Sequence, residues 1–302
     1  MLALVSSHAD ELALNSATPG QKIHAIHHSA HEPNGRSPVL FLHSFHVPCS
    51  KAFDLTNESW MRELGKEGFD TWAIDLPGFG LSKRTEFLEG TSAVEQTLDD
   101  LNSVISHIQS HSPTHQVTLI GWGWGGLVAA KAAVSNPTAI DRLVLLGVMD
   151  GFSALAPNDF VGQFATLDGG LQVTTQTLLA DWSRMLRGIE DEVLADAASQ
   201  LEALVTQCGK GSLVLPTGVA RDMANAWANQ LPFEPADIKT PTLVIRGDHD
   251  GYASGFMDGK IPHSRVVVLH NATHWVMYEK GQTFLQLQVS NFLALKKSEI
   301  LH

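Results

Sequence analysis

The segment VTLIGWGWGGLVAAKAA, residues 117–133, most narrows the choice of fold, because an apolar run, a glycine-rich turn and an alanine-rich helix follow one another directly. Its spaced glycines satisfy the G-x-G-x-x-G pattern of a dinucleotide-binding turn: Gly121, Gly123 and Gly126. Asp150, at the end of the next apolar run, would then be a ribose ligand. A dinucleotide needs close approach to the backbone, however, and this turn carries the indole rings of Trp122 and Trp124. Motifs elsewhere in the chain are needed to decide whether this turn binds a dinucleotide.

Composition limits the partners. The 302 residues are 44% apolar, which is enough for a substantial core. The formal charge of -12 is spread without a basic run, which argues against nucleic acid or an anionic membrane surface, so we expect a small-molecule substrate. Two cysteines, Cys49 and Cys208, make neither a disulfide framework nor a C-x-x-C pair, and a reduced cytosol is the simplest location. Whether the chain forms a homo-oligomer stays open.

Membrane insertion and metal binding are not expected. The first residues lack the basic region of a signal peptide, and no stretch approaches the roughly 20 apolar residues that span a bilayer. The sequence also has no cofactor motif beyond the glycine turn and no spaced set of metal ligands, so neither a cofactor nor a metal is predicted.

Short runs of valine, isoleucine and leucine alternate with helical patterns along the chain. The runs cover residues 38–44, 71–77, 117–122, 142–148, 241–248 and 265–271. Continuous apolar strands separated by helices predict an α/β fold with a mostly parallel sheet that helices cover on both faces.

The alternation stops between about 151 and 236, where the pattern is helical and contains no strong strand. We interpret this stretch as a helical cap inserted into the core. The predicted organisation is an N-terminal tail at 1–21, a first core segment at 22–150, a cap at 151–236 and a second core segment at 237–302.

Over roughly residues 22–295, the order of these motifs resembles the α/β-hydrolase superfamily. In particular, GWGWGG resembles the G-x-D-W-G-G and G-x-S-W-G-G nucleophile elbows of dehalogenases, epoxide hydrolases and some esterases. The resemblance implies that Asp250 in GDHD is the catalytic acid and that His274 in NATHW is the catalytic histidine. It also implies an oxyanion hole made by the backbone N–H groups of Phe45 and Trp124. Gly123 stands where the family carries its nucleophile.

A glycine at the elbow changes the expected chemistry, because residue 123 has no side chain that can form an acyl- or alkyl-enzyme. A histidine oriented by a carboxylate can still act as a general base on water or on a substrate C–H or O–H. We therefore expect noncovalent chemistry on a small apolar carbonyl or ester compound, of a kind used in secondary metabolism: hydrolysis by direct water attack, or a lyase, decarboxylase or cyclase reaction. Two alternatives are a ligand-binding pseudoenzyme and an inactivated variant of a serine esterase.

Further residues are predicted to line the pocket. The loop HSFHVPCS after the first strong strand, normally His-Gly-x in this superfamily, supplies several of them, and Asp150 is a second candidate for the acid. Ser44 and Cys49 are also stand-ins for the missing nucleophile. The pocket candidates are His43, Ser44, His46, Cys49, Trp122, Asp150 and Trp275.

Overall fold

An eight-stranded sheet forms the centre of the molecule. The computed structural model describes residues 9–55, 59–82, 92–151, 171–209 and 212–300. The strand order is β1-β2-β4-β3-β5-β6-β9-β10, and the pairs from β4 to β10 are all parallel. The predicted α/β architecture with a mostly parallel sheet is thus confirmed. The strands of this sheet are Asp10–Asn15 (β1), Lys22–His28 (β2), Val39–Leu42 (β3), Thr71–Ile74 (β4), Val117–Trp122 (β5), Ile140–Leu146 (β6), Thr242–Gly247 (β9) and Ser264–Leu269 (β10).

Helices flank this sheet and fill the connections between its strands. Within the described residues, none is both long and apolar enough to cross a membrane. The central strands β3, β4 and β5 are buried along their whole length, which is why the sequence shows them as unbroken apolar runs. The helices are Trp60–Lys66 (α1), Ala93–Ser110 (α2), Trp124–Ser135 (α3), Thr175–Met185 (α4), Ala197–Gly209 (α5), Thr217–Trp227 (α6) and Gln282–Ala294 (α7).

The N-terminal segment differs from the predicted tail. Residues 10–15 form the edge strand β1, which pairs with β2 in an antiparallel hairpin, and β2 in turn pairs antiparallel with β4. Most residues of β1 are exposed, so the strand lacks the apolar run by which the other strands were identified.

Between β6 and β9 the described residues form α4, α5 and α6. The structure adds one feature that the sequence analysis missed, an antiparallel pair of four-residue strands, Leu171–Thr174 (β7) and Ser212–Leu215 (β8). Such short strands beside long helical patterns give almost no periodic signal. Part of the predicted cap, residues 152–170, lies outside the described residues, and the cap as a separate unit stays a prediction.

A disulfide joins Cys49, in the loop after β3, to Cys208 in α5, with the two Cα atoms 5.5 Å apart. The expectation that the two cysteines make no disulfide framework was therefore wrong, because a sequence separation of 159 residues gives no hint that the two side chains meet. Cys49 is consequently removed as a stand-in nucleophile, since a disulfide sulfur carries no thiolate. Disulfides are rare in a reducing cytosol, so the cytoplasmic location remains a prediction without support from cysteine usage.

The disulfide is expected to stabilise the fold by restricting the unfolded chain. Cys208→Ser should lower the free energy of unfolding by about 2–5 kcal/mol, because the bond closes a long loop. Urea unfolding with and without reductant measures this loss. Cys208→Ser should be insensitive to reductant, and equal midpoints for the oxidised and reduced wild-type chain would contradict the prediction.

Candidate active site

The candidate site lies where the carboxyl ends of the parallel strands meet, which is the usual ligand position in an open α/β sheet. The loops after β3, β5, β6, β9 and β10 all reach this edge. They carry most of the residues that the sequence analysis selected.

The turn between β5 and α3 has the backbone shape of a nucleophile elbow. Gly123 precedes α3 with φ +56° and ψ -118°, a conformation that ordinary residues adopt only under strain. The neighbouring glycines serve packing: a methyl group at Gly121 would lie 2.7 Å from the Cα of Gly126. A methyl group at Gly125 would overlap the carbonyl oxygens of Leu42 and His43. The glycine pattern is thus explained by close contact between the strand, the helix and the loop after β3.

His274 and Asp250 form a fully buried pair. Nδ1 of His274 lies 3.1 Å and 3.2 Å from the two carboxylate oxygens of Asp250, which fixes the ring orientation. Asp250 also accepts the backbone N–H groups of Tyr252 and Ala253. Gly147 makes room for the pair, because a methyl group there would lie 2.8 Å from Asp250 Oδ2 and 3.0 Å from His274 Nδ1.

The other ring nitrogen of His274 faces the elbow. Nε2 is buried and makes no hydrogen bond to any described residue. A methyl group at residue 123 would lie 3.2 Å from it. Trp122 stacks beside the imidazole with ring centroids 5.4 Å apart and donates its indole N–H to the backbone oxygen of His274. The free nitrogen therefore points at the place where an elbow side chain would begin.

Ser44 and His46 occupy the space beside Gly123. A methyl group at residue 123 would overlap Oγ of Ser44 and lie 3.1 Å from its Cβ. Oγ of Ser44 forms a hydrogen bond of 3.0 Å with Nδ1 of His46, and both residues are buried. The His46 ring contacts that of His274, with centroids 4.7 Å apart, and burial together with the nearby His274 lowers the pKa of His46 well below its ordinary value.

His43 has a structural position under this loop. Its Nε2 accepts the backbone N–H of Leu76 at 2.9 Å, so Nδ1 carries the proton that is donated to the backbone oxygen of Ser44 at 3.0 Å. Burial lowers the pKa of His43 to about 4, because the lost hydration of the cation outweighs the attraction of the nearby Asp75 charge and the hydrogen bond to Ser44. Both nitrogens are therefore committed to holding the loop after β3.

The backbone N–H groups of Phe45 and Trp124 are the predicted donors of the oxyanion hole. Within the described part of the chain, neither Phe45 nor Trp124 donates its N–H to a backbone acceptor outside the regular elements. Both side chains are fully buried. The indole N–H of Trp124 lies 3.4 Å from a carboxylate oxygen of Asp222 in α6, and burial raises the pKa of Asp222 to about 6.

Asp150 lies in a different environment from the acid of the pair. Its carboxylate accepts the backbone N–H groups of Ser254, Gly255 and Met257, and it thereby fixes the loop that follows Asp250. Burial raises the pKa of Asp150. In the described residues the carboxylate next to His274 is that of Asp250, so the geometry gives Asp150 a loop-holding position.

Sequence reasoning missed a polar layer behind the site. Tyr252 packs edge-on against His274, with centroids 5.1 Å apart, and donates its hydroxyl to Asp181 of α4. Glu279 is buried and accepts the indole N–H of Trp182 and the backbone N–H of Thr273. These residues come from distant parts of the chain, and no spacing in the sequence predicts that they meet.

Aromatic rings form much of the wall around the two histidines. Trp275 lies 5.0 Å from His46 and 5.9 Å from Trp182 of α4, measured between ring centroids. Phe45 packs on His46 at 3.7 Å. The sequence-predicted residues Trp122, Phe45, His46, His274 and Trp275 are therefore brought together, whereas Cys49 is held in the disulfide.

The overlap between Ser44 and any side chain at residue 123 should be measurable. We expect Gly123→Ala to lower the free energy of unfolding by about 2–5 kcal/mol, from strained backbone and from overlap. Gly35→Ala is the matched control, because Gly35 also has positive φ (+70°) but has open space around it. The double variant Ser44→Gly/Gly123→Ala avoids the overlap. By chemical denaturation, its loss in free energy of unfolding should be smaller, by about 1 kcal/mol or more, than the sum of the losses in Ser44→Gly and Gly123→Ala. Strict additivity would contradict the contact.

Acid should destabilise the protein through His43. The unfolded histidine binds a proton near pH 6.5, whereas the folded one does so only near 4. The unfolded state therefore binds more protons in this window, and the free energy of unfolding should fall by about 3 kcal/mol as pH drops from 6.5 to 4. Urea unfolding at several pH values tests this, and His43→Asn should give a shallower slope. An unchanged slope in that variant would refute the assignment.

Comparison with known proteins finds relatives among esterases and epoxide hydrolases and a shared fold with a lactonase. Pimeloyl-[acyl-carrier protein] methyl ester esterase of Yersinia enterocolitica is 27% identical over 226 residues, covering 72% of this chain and 80% of the esterase. Epoxide hydrolase 3 of Xenopus tropicalis is 26% identical over 251 residues, covering 74% of this chain and 65% of that protein. The enol-lactonase structure from Burkholderia xenovorans superposes with a TM-score of 0.63 at 18% identity, covering 95% of this chain and all of the lactonase.

The family model of the alpha/beta hydrolase fold matches residues 37–281, which include the elbow, the Asp250 loop and the His274 loop. This match spans most of the chain and both residues of the buried pair. The chain therefore belongs to the α/β-hydrolase fold family.

Proposed function

We propose that this protein hydrolyses a small apolar ester or related carbonyl compound, with His274 as general base and Asp250 as the carboxylate that orients it. The observation that carries the proposal is the buried pair whose free Nε2 faces the elbow. In this arrangement Asp250 keeps the proton on Nδ1, so Nε2 can accept a proton from an attacking O–H group.

No bond to residue 123 forms in the proposed reaction, because glycine offers no nucleophile. The attacking oxygen comes from water or from another hydroxyl at the site. The N–H groups of Phe45 and Trp124 would hold the oxyanion that develops on the substrate carbonyl.

The aromatic side chains around His274 indicate the class of substrate. Trp122, Trp275 and Phe45 offer apolar ring surface beside the histidine, which favours an apolar or aromatic acyl group. The named relatives are an esterase, an epoxide hydrolase and an enol-lactonase. These names favour hydrolysis of a C–O bond over lyase, decarboxylase or cyclase chemistry.

Turnover of a panel of small esters, lactones and β-keto acids tests the proposal. We expect ester or lactone hydrolysis by the wild-type chain and a loss of at least about 10²-fold in kcat/KM for His274→Ala, because a general base contributes about 10²–10⁴-fold. Asp250→Asn should also lose activity, since the histidine would adopt the wrong tautomer.

His270→Ala is the matched control, because His270 is a largely exposed histidine that pairs with Asp248 on a neighbouring loop. Its activity should equal that of the wild type. Ester hydrolysis that survives in His274→Ala would overturn the proposal. Saturable binding of panel compounds without any turnover would instead support a ligand-binding role.

A further inference from the structure

Compared with the family motifs, serine and glycine are interchanged between residues 44 and 123. The loop that normally reads His-Gly-x has Ser44 in place of glycine, and the elbow that normally holds a serine or an acid has Gly123. The positions are in contact, because even a methyl group at residue 123 would overlap the Ser44 hydroxyl. A hydroxyl therefore still occupies the volume beside the elbow, but the loop after β3 supplies it.

The groups around this hydroxyl are those that a nucleophile requires. Nε2 of His274 borders the same volume, 3.2 Å from the point where a side chain of residue 123 would begin, and makes no hydrogen bond to a described residue. His46 Nδ1 lies 3.0 Å from Ser44 Oγ. The N–H of Phe45 follows Ser44 directly in the chain, as the N–H of an oxyanion hole follows an elbow serine.

We propose that Ser44 is the catalytic nucleophile of this site and replaces the missing elbow serine. The inference rests on the proposed ester hydrolysis and names the attacking oxygen within it. Ser44 Oγ attacks the ester carbonyl carbon, its proton passes to Nε2 of His274, and the carbonyl electron pair moves onto the oxygen held by backbone N–H groups. Collapse of this intermediate breaks the C–O bond to the alcohol, which takes the proton from His274. Water then attacks the carbonyl carbon of the acyl-Ser44 ester and gives a proton to Nε2 of His274. Collapse of this second intermediate breaks the bond between the acyl carbon and Ser44 Oγ, which takes the proton back from His274, so the carboxylic acid leaves and the free serine and neutral histidine are restored.

His46 acts here as a positioning residue. With the proton on Nδ1, it donates to Ser44 Oγ, which holds the oxygen in place and leaves the serine's own proton for His274. His46 contacts no carboxylate within the described residues, whereas His274 is paired with Asp250. The positive charge that forms during attack is therefore better placed on His274 than on His46.

Covalent labelling of the wild-type chain tests the proposal. An alkyl fluorophosphonate should form a bond from its phosphorus to Ser44 Oγ with loss of fluoride, and peptide mass spectrometry should find the adduct on the peptide that contains Ser44. Ser44→Ala should lose the adduct and at least about 10³-fold in kcat/KM, because a serine nucleophile is required for each turnover. Ser112→Ala is the matched control: Ser112 is also buried but bonds to Thr114 at the end of α2. It should keep both adduct and activity.

The outcomes separate this inference from the proposed function. Ester hydrolysis that survives in Ser44→Ala but is lost in His274→Ala overturns Ser44 as nucleophile and leaves direct attack by water. Activity that survives in His274→Ala overturns the proposed function itself. Absence of an adduct on Ser44 in a chain that hydrolyses esters also overturns the inference.

The exchange variant Ser44→Gly/Gly123→Ser gives a second test that does not depend on the folding of Ser44→Ala. It removes the overlap and returns the hydroxyl to the elbow, so the fluorophosphonate adduct should move to the peptide that contains residue 123. If the wild-type chain and the exchange variant both carry the adduct on some other residue, Ser44 is not the nucleophile and the inference is overturned.

Discussion

The site depends on one close contact between backbones, where the loop after β3 lies against the first turn of α3. Gly125 permits this contact, because any side chain there would overlap the carbonyl oxygens of Leu42 and His43. The contact sets Ser44 beside Gly123. His43 then keeps the loop in place through two hydrogen bonds, one to its own loop and one to Leu76. Without this approach the Ser44 hydroxyl and Nε2 of His274 would not border the same volume beside Gly123.

Three histidines lie in this buried region, and their surroundings separate them. Both nitrogens of His43 are occupied by backbone groups, which excludes it from proton transfer. His46 is surrounded by aromatic rings, and its burial together with the nearby His274 lowers its pKa, so the ring stays neutral. Within the described residues, His274 is the one of the three that is hydrogen-bonded to a carboxylate. A polar layer of Tyr252, Asp181 and Glu279 supports it from behind, in keeping with the general need for buried polar groups to be paired.

The local part of this arrangement was predictable from the sequence. Continuous apolar runs located the parallel strands, and the glycine spacing located the elbow, because both patterns reflect short-range geometry. Motif order placed Asp250 and His274 on adjacent strand ends, where the structure brings their side chains together. The exposed strand β1 was missed because it lacks an apolar run.

Contacts between distant segments were not predictable in the same way. The Tyr252 hydroxyl reaches Asp181 across 71 residues, and neither position has a motif that points to the other. The overlap of Ser44 with residue 123 likewise exists only in three dimensions. The resemblance to the superfamily identified the loop after β3 and the elbow from the sequence. Only the atomic positions show that the Ser44 side chain leaves no room for a side chain at residue 123.

The bond between Cys49 and Cys208 makes a covalent ring from about half of the chain, including the elbow, α3 and the helix α4. A protease that cuts the backbone once inside this ring leaves both products joined through sulfur. The nicked molecule keeps the loop after β3 attached to α5, so the pieces separate only when cleavage is followed by reduction. The chain thus resists dissociation after a single cut at any position between the two cysteines.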